Sequence, residues 1–438
     1  MSSLSSGGAD GTEPLPPVAQ DITLLCRVVD NYGDIGFVYR LARALSRLAP
    51  EARLRLVVSD LASFAAMAPG IDAAAPAQEY RGWQVFAWDA AATCTAEFKA
   101  RPPRVILECF QCGRPEWLDA LLFTPAGAAR PGAVPAATAG TAAPALVHII
   151  NVEYLTAEPW ADDFHLLTGA TRSASVKKMH FMPGFTARTG GLLLEPPEPD
   201  GSIPPQVPPG CAELLSRNDV LSVLLFAYPR DFSPLVAALS RFRREQQADV
   251  QVLCAAGLSG RPFLDAWHEA GRPFPVMQLP YLPQQAWDAL LVRSAWNFVR
   301  GEDSFARACL AGHPFVWHAY PQDGEFQLVK VDAFLSRIQP FLSPDDFSLY
   351  RRYSLLYSRR SGTEPGAEAQ ELLCSLAADG AALPAGAETA RAEEELLLYA
   401  LLCRRKALSQ GFARFAGSLR RNGNLAKNLL DCIKRLQF

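Results

Sequence analysis

The stretch Cys26-Arg-Val-Val-Asp-Asn-Tyr-Gly-Asp-Ile-Gly36, which runs straight into Phe37-Val-Tyr-Arg-Leu-Ala-Arg-Ala-Leu45, constrains the chain most. Ile22, Leu24, Leu25, Val28 and Val29 supply the apolar run that a parallel strand buried on both faces needs. Phe37, Leu41, Leu45 and Leu48 then recur at helical spacing, with Arg40, Arg43 and Arg47 on other faces. Between strand and helix lie Asp30, Asn31, Gly33, Asp34 and Gly36. In an open α/β sheet such a turn sits at the carboxyl end of the strand, where ligands bind. Two carboxylates there make a candidate site, although a turn-and-cap role accounts for them as readily.

Further strands are expected at Leu54–Val58, Trp83–Trp88, Val105–Phe110 and Leu146–Ile150, with a helix at Leu61–Met67. A second series follows, with strands at Asp219–Phe226, Val250–Cys254, Val276–Pro280 and Ala295–Val299. Helices fit between them at Pro234–Gln247, Pro262–Ala270 and Gln284–Ser294. Strand–helix alternation implies parallel crossover units. Two such series give the expected fold class: α/β, with two Rossmann-like domains facing a central cleft, the GT-B arrangement of nucleotide-sugar transferases. The expected layout is a disordered tail over 1–20, a first domain over 21–195, a Pro-rich linker over 196–215 and a second domain over 216–417. Two Ala/Gly/Pro-rich stretches, 124–144 and 361–389, read as flexible insertions. A C-terminal helix at about 418–438 is expected to cross back and complete the first domain. It belongs to a basic region (Arg404, Arg405, Lys406, Arg414, Arg420, Arg421, Lys434, Arg435) that reads as a solvated helix face.

Composition narrows the function. The 438 residues are 49% hydrophobic and 20% charged with a net charge of −3, so no bulk nucleic-acid or membrane binding is expected. The tail has no basic n-region or apolar h-region, and no apolar run is long enough to span a bilayer, which points to a cytoplasmic protein. Ten cysteines then read as reduced thiols, and the lone Cys109-Phe-Gln-Cys112 pair lacks the other two ligands a zinc site needs. GxGxxG, P-loop, GxSxG and HExxH patterns are absent, so chemistry would rest on carboxylates.

A second constellation follows the strand at Ala295–Val299: Arg300-Gly-Glu-Asp-Ser304, at the start of a helix. Free backbone amides there form an anion site, with Arg300 and Ser304 as extra donors. Glu302 and Asp303 complicate it, because bare carboxylates repel phosphate, so at least one is expected to face sugar hydroxyls or cap the helix.

These two motifs, with Met182-Pro-Gly-Phe-Thr-Ala-Arg-Thr-Gly-Gly191, Leu282-Pro-Gln284 and Pro314-Phe-Val-Trp-His-Ala-Tyr-Pro-Gln322, closely resemble the EarP family, bacterial protein-arginine rhamnosyltransferases that mature translation elongation factor EF-P. The resemblance implies a metal-independent GT-B enzyme with no cofactor, transferring L-rhamnose from dTDP-β-L-rhamnose to one EF-P arginine with inversion. It puts Asp30, Asp34 and Glu302 in catalytic roles, Asp34 as the general base. It maps the nucleotide-sugar site onto Asn31, Tyr32, Gly33, Asp34, Gln284, Arg300, Gly301, Glu302, Asp303 and Ser304, with Tyr228 on the thymine. Tyr39, where many relatives have Trp, and the long insertions depart from the pattern. The alternatives are a non-catalytic nucleotide-sugar or EF-P binding module, and a GT-B enzyme with another donor or acceptor.

Overall fold

Side chains of strand β1 (Asp21–Cys26) alternate between two cores, with Ile22, Leu24 and Cys26 on one face of its sheet and Leu25 on the other. The computed structural model describes residues 14–29, 32–123, 146–195, 204, 206–217, 219–360, 362–384 and 386–438. After β1 come α1 (Tyr32–Leu48), β2 (Arg53–Val58), α2 (Leu61–Met67), β3 (Ala77–Tyr80), β4 (Trp83–Ala87), α3 (Ala91–Ala100), β5 (Val105–Cys109), α4 (Glu116–Phe123), β6 (Val147–Val152), α5 (Ala161–Phe164), β7 (Thr168–Gly169) and β8 (Val176–Phe181). The sheet order is β3-β4-β2-β1-β5-β6-β8-β7, antiparallel only in the two edge pairs. Strand order runs outward from β1 in opposite directions, so the switch point lies between β1 and β5.

The second half comprises α6 (Pro209–Leu215), β9 (Val220–Leu225), α7 (Ser233–Gln246), β10 (Asp249–Cys254), α8 (Gly260–Glu269), β11 (Val276–Gln278), α9 (Gln284–Arg293), β12 (Trp296–Arg300), α10 (Glu302–Ala311) and β13 (Phe315–His318). Its sheet is all parallel, in the order β11-β10-β9-β12-β13, and its switch point falls between β9 and β12. Among the described residues six α-helices complete the chain: α11 (Gln327–Ile338), α12 (Pro344–Ser358), α13 (Ala367–Ala378), α14 (Ala387–Cys403) and α15 (Arg405–Arg421) close the second core, and α16 (Leu425–Lys434) follows them. Leu425, Leu429, Leu430 and Ile433 of α16 are buried in the first half, whereas Phe412, Phe415 and Leu419 of α15 belong to the second. Two Rossmann-like α/β units facing each other make this the GT-B architecture.

Both passages between the halves are tied together by the Met182–Gly191 motif. Phe185 leaves the first half to pack among Phe305, Phe334 and Phe415 of the second. Its carbonyl accepts from Asn422 Nδ2 at 2.9 Å, and that of Gly190 from Asn428 Nδ2 at 3.0 Å. Gly191 permits the approach, since a Cβ there would lie 2.9 Å from the Gly423 carbonyl oxygen, while Gly190 packs back on β8, where a Cβ would lie 2.3 Å from the Phe181 ring.

Several expectations are corrected. Val28 and Val29 lie beyond β1, because their amides bond Ser59 Oγ and Asp34 Oδ2 instead of a neighbouring strand. Helix α1 begins at Tyr32, so Gly33, Asp34 and Gly36 lie within its first turns. Within the linker assigned to 196–215, residues 209–215 form α6, whose Cys211 and Leu214 are buried in the second core. The insertion assigned to 361–389 contains α13 and the start of α14, since Ala, Glu and Leu favour helix there. Within the tail assigned to 1–20, Leu15 is buried and its N–H bonds Glu51. Residues 1–13, the stretch 124–144 and most of 196–208 lie outside the described residues. Strand β8 carries Lys177, Lys178 and His180, and β13 follows Pro314 and ends in a histidine, which hid both from the apolar pattern.

We expect Gly190→Ala to lower stability by about 1–3 kcal/mol through forced overpacking against Phe181. Urea unfolding measures this, and a change within error would mean that the approach is not tight.

Candidate active site between the two halves

The wall of the cleft is built on α1. Its Arg40 has no exposed side-chain surface and reaches carboxylates outside the first sheet: Glu195, Asp288 of α9 at 2.6 Å, and Asp303 of α10 in a two-pronged contact at 2.9 and 3.0 Å. Arg43 joins Glu195 and Gln284 at 2.9 and 3.1 Å, and Gln284 Nε2 donates to the Gly36 carbonyl at 2.7 Å. Burial would discharge Arg40, but Asp288, Asp303 and Glu195 outweigh it and raise its pKa well above the usual value. Burial pushes the Asp303 carboxyl up, yet the Arg40 and Arg307 charges together hold it below the ordinary range; for Asp288 burial wins, and its pKa is raised.

Asp34 stands in the first turn of α1, buried, with Oδ2 accepting the Val29 N–H at 2.7 Å. It acts on Cys26 and Cys109 at the carboxyl ends of β1 and β5, which puts it at the first switch point. The same side of the cleft carries aromatic rings. Phe37 packs on Phe110 at 4.9 Å, and Phe110 stacks on Tyr154 at 4.4 Å. Burial raises the thiol pKa of Cys109, and that of Cys112 to about 12, so this pair is an inert packing element.

The opposite wall lies at the second switch point. Gly301, at φ +68° and ψ 171°, occupies backbone space open only to glycine and turns β12 into α10. The N-cap position is this glycine, so no side chain caps the helix from there. Asp303 is held by Arg40, and Glu302 Oε2 accepts the Leu155 N–H from the first half at 3.2 Å. The Arg300 guanidinium lies 4.7 Å from the ring centres of both Phe226 and Tyr228. Tyr228 is further fixed by its N–H to His318 Nδ1 at 3.2 Å and by edge contacts with His318 and Tyr320. Burial, then the charges of Arg230 and Arg300, depress the His318 pKa to about 3. Trp287 Nε1 donates to Ser304 Oγ at 3.1 Å, and the exposed rings of Tyr32 and Tyr281 meet across the halves at 5.8 Å.

The structure therefore brings Tyr228, Arg300, Gly301, Glu302 and Ser304 to one switch point, and Tyr32, Gly33 and Asp34 to the other. Asp30 and Asn31 lie outside the described residues. Asp303 and Gln284, expected on the nucleotide sugar, spend their side chains on α1. Sequence reasoning missed Arg40, placed only off the apolar face of its helix, Asp288 and Glu195, which no motif marks, and His318, although its motif had been singled out. Among the described residues no group of three or more His, Cys, Asp or Glu could hold a metal ion.

A buried acid at one switch point, and a glycine-opened helix start with an arginine at the other, on two facing Rossmann-like units, fit a glycosyltransferase of the GT-B type. The chain matches the family described as Elongation-Factor P (EF-P) rhamnosyltransferase EarP over residues 22–434, and it belongs to that family. It is 33% identical to a protein-arginine rhamnosyltransferase of Pseudomonas putida, covering 74% of this chain and 82% of that one. It is 30% identical to the Shewanella oneidensis protein of the same name, covering 77% and 85%. A structure solved for EarP-mediated arginine glycosylation of translation elongation factor EF-P is similar at 20% identity and a TM-score of 0.49, over 94% of this chain and 97% of that one.

Arg40→Met leaves three partly buried carboxylates without their shared cation and is expected to destabilise by about 3 kcal/mol in urea unfolding; a loss below about 1 kcal/mol would show that the cluster does not anchor the halves. The depressed His318 pKa has a pH signature. Between its ordinary 6.5 and about 3 the unfolded chain binds a proton that the native state refuses, so stability falls as pH drops through this window. The slope approaches about 1.4 kcal/mol per pH unit at mid-window. His318→Asn keeps an acceptor for the Tyr228 N–H and should flatten the stability difference between pH 7 and pH 5; an unchanged difference would assign the dependence to other groups.

Proposed function

We propose that this protein transfers L-rhamnose from dTDP-β-L-rhamnose to a single arginine side chain of elongation factor EF-P, with inversion at the anomeric carbon and without a metal ion or other cofactor. Family membership and the names of the relatives support arginine rhamnosylation. The observation that carries the reading is the opposition of Asp34 at one switch point and the Arg300–Ser304 helix start at the other.

The acceptor guanidinium is cationic, and its nitrogen lone pairs are delocalised. Asp34, with Asp30 by resemblance, holds it through charge-assisted bonds and aims one nitrogen at the anomeric carbon. That nitrogen forms the new C–N bond on the face opposite the leaving oxygen, its proton passes to the Asp34 carboxylate, and the electron pair of the breaking C–O bond leaves on the dTDP phosphate. A guanidinium holds its protons too firmly to lose one before its nitrogen is engaged, so proton removal to Asp34, in the first turn of α1, accompanies bond formation. On the donor side, the amides that open α10 and the Arg300 guanidinium stabilise the departing diphosphate. Glu302 takes a sugar or deoxyribose hydroxyl. Tyr228, braced by His318 and Arg300, offers its ring to thymine, with Tyr32 and Gly33 bordering the sugar. Gln284 and Asp303 act from the interface behind the site. The acceptor is a translation factor, and no described helix is long and apolar enough to cross a membrane, both of which agree with work in the cytoplasm.

Incubation with EF-P and dTDP-β-L-rhamnose in the presence of a chelator should add one deoxyhexose to one arginine, read by mass spectrometry; intact EF-P after binding both ligands would favour a non-catalytic module. Asp34→Asn keeps an acceptor for the Val29 N–H, and is expected to lower kcat by about 10²-fold or more while dTDP-rhamnose affinity stays within about twofold. Loss of donor affinity together with turnover would make Asp34 a structural cap.

A further inference from the structure

The loop after β5 holds two consecutive non-glycine residues in left-handed backbone, Phe110 at φ +60° and Gln111 at φ +50°. Such conformations persist only where surrounding contacts over-determine them, and they cluster at functional sites. The contacts here are specific. Gln111 Nε2 donates to both Glu153 oxygens at 3.1 and 2.9 Å, and its N–H to Asn151 Oδ1 at 3.2 Å. Glu153, buried, also binds His180 Nδ1 at 2.7 Å, and the Phe110 N–H reaches the Val152 carbonyl at 2.7 Å.

What this network fixes is the orientation of an aromatic ring. Phe110 lies nearly parallel to Tyr154, 11° apart, and leans against Phe37. Although stacked, Tyr154 remains 41% exposed. Its location follows from two neighbours. Phe37, which braces the stack, is one turn beyond Asp34 on the same face of α1, and Leu155, next in sequence to Tyr154, gives its N–H to Glu302. The ring thus stands in the cleft between the carboxylate of one wall and the carboxylate of the other.

We propose that Tyr154 is the platform on which the acceptor guanidinium lies, and that it sets the preference of this site for arginine. This rests on the arginine-transfer reading above. A guanidinium is planar, so it can stack on a ring while its in-plane N–H groups reach carboxylates at the edge. A lysine ammonium, a compact point charge, gains less from the same surface. The Phe110 stack holds the ring in place before substrate arrives, so little side-chain freedom is lost on binding.

The test is steady-state transfer with EF-P varied at saturating dTDP-rhamnose, together with calorimetric binding of EF-P in the absence of donor. Tyr154→Leu should raise KM and Kd for EF-P by roughly 5- to 30-fold and leave KM for dTDP-rhamnose within about twofold. Tyr154→Phe, which keeps the ring, should recover most of the loss. Unchanged EF-P affinity in Tyr154→Leu, equal loss in both variants, or parallel loss of dTDP-rhamnose affinity would each overturn the platform. If the wild-type protein transfers nothing, the arginine-transfer reading fails, while the EF-P binding titrations still decide the role of Tyr154.

Discussion

One fully buried arginine holds the two halves of this protein in register. Arg40 leaves the first half from the middle of α1 and is met by Asp288 and Asp303 of the second and by Glu195 at the crossing. An isolated buried guanidinium would be prohibitively unfavourable, and three partly buried carboxylates gathered without a cation would repel one another, so each requires the other at short range. The consequence is geometric. Asp34 is less than two turns upstream on the same helix, and Asp303 is the second residue of α10, so the cluster that closes the interface also fixes the separation of acid and helix start.

The same cluster explains how the helix start proposed to hold an anion can carry two acids beside its amides. Glu302 and Asp303 seemed set to repel a diphosphate. In the structure both turn toward the first half, Asp303 to Arg40 and Glu302 to the Leu155 amide. Asp303 is neutralised by a neighbour that is itself held charged, while Arg300, stacked on Phe226 and Tyr228, keeps a positive charge on the wall at the second switch point.

What the sequence made legible follows from how local the signal was. The strands around each switch point and the helices α1, α2, α7, α8 and α9 lie close to where apolar periodicity put them, because each buries one continuous face. Strand β8 escaped because its lysines and histidine sit near a sheet edge, and α13 because an Ala-rich helix resembles an Ala-rich loop in composition. The site residues on Arg300–Ser304 could be found from a glycine between strand and helix. Arg40, Asp288 and Glu195 could not, since nothing local in their segments marks a charge as buried; only the packing of distant elements does. Gln284 and Asp303 were visible as motif residues, but their partners on α1 were not.

The first wall can be understood on the same terms. Its carboxylate is supplied by a helix start, but its aromatic rings come from the loops after β5 and β6, the first of which is held in a costly backbone conformation by a buried Gln111–Glu153–His180 network. A chain that needed only a cap at Asp34 would have no reason to maintain that strain one strand away. The glutamate is consumed entirely in bracing, which separates it from the acids that face the cleft, and the product of the bracing is a ring fixed beside them. On the proposed reading, recognition of a cation by this wall is divided: charge comes from the helix start, and shape from a ring after β6 that the strained loop after β5 props in place.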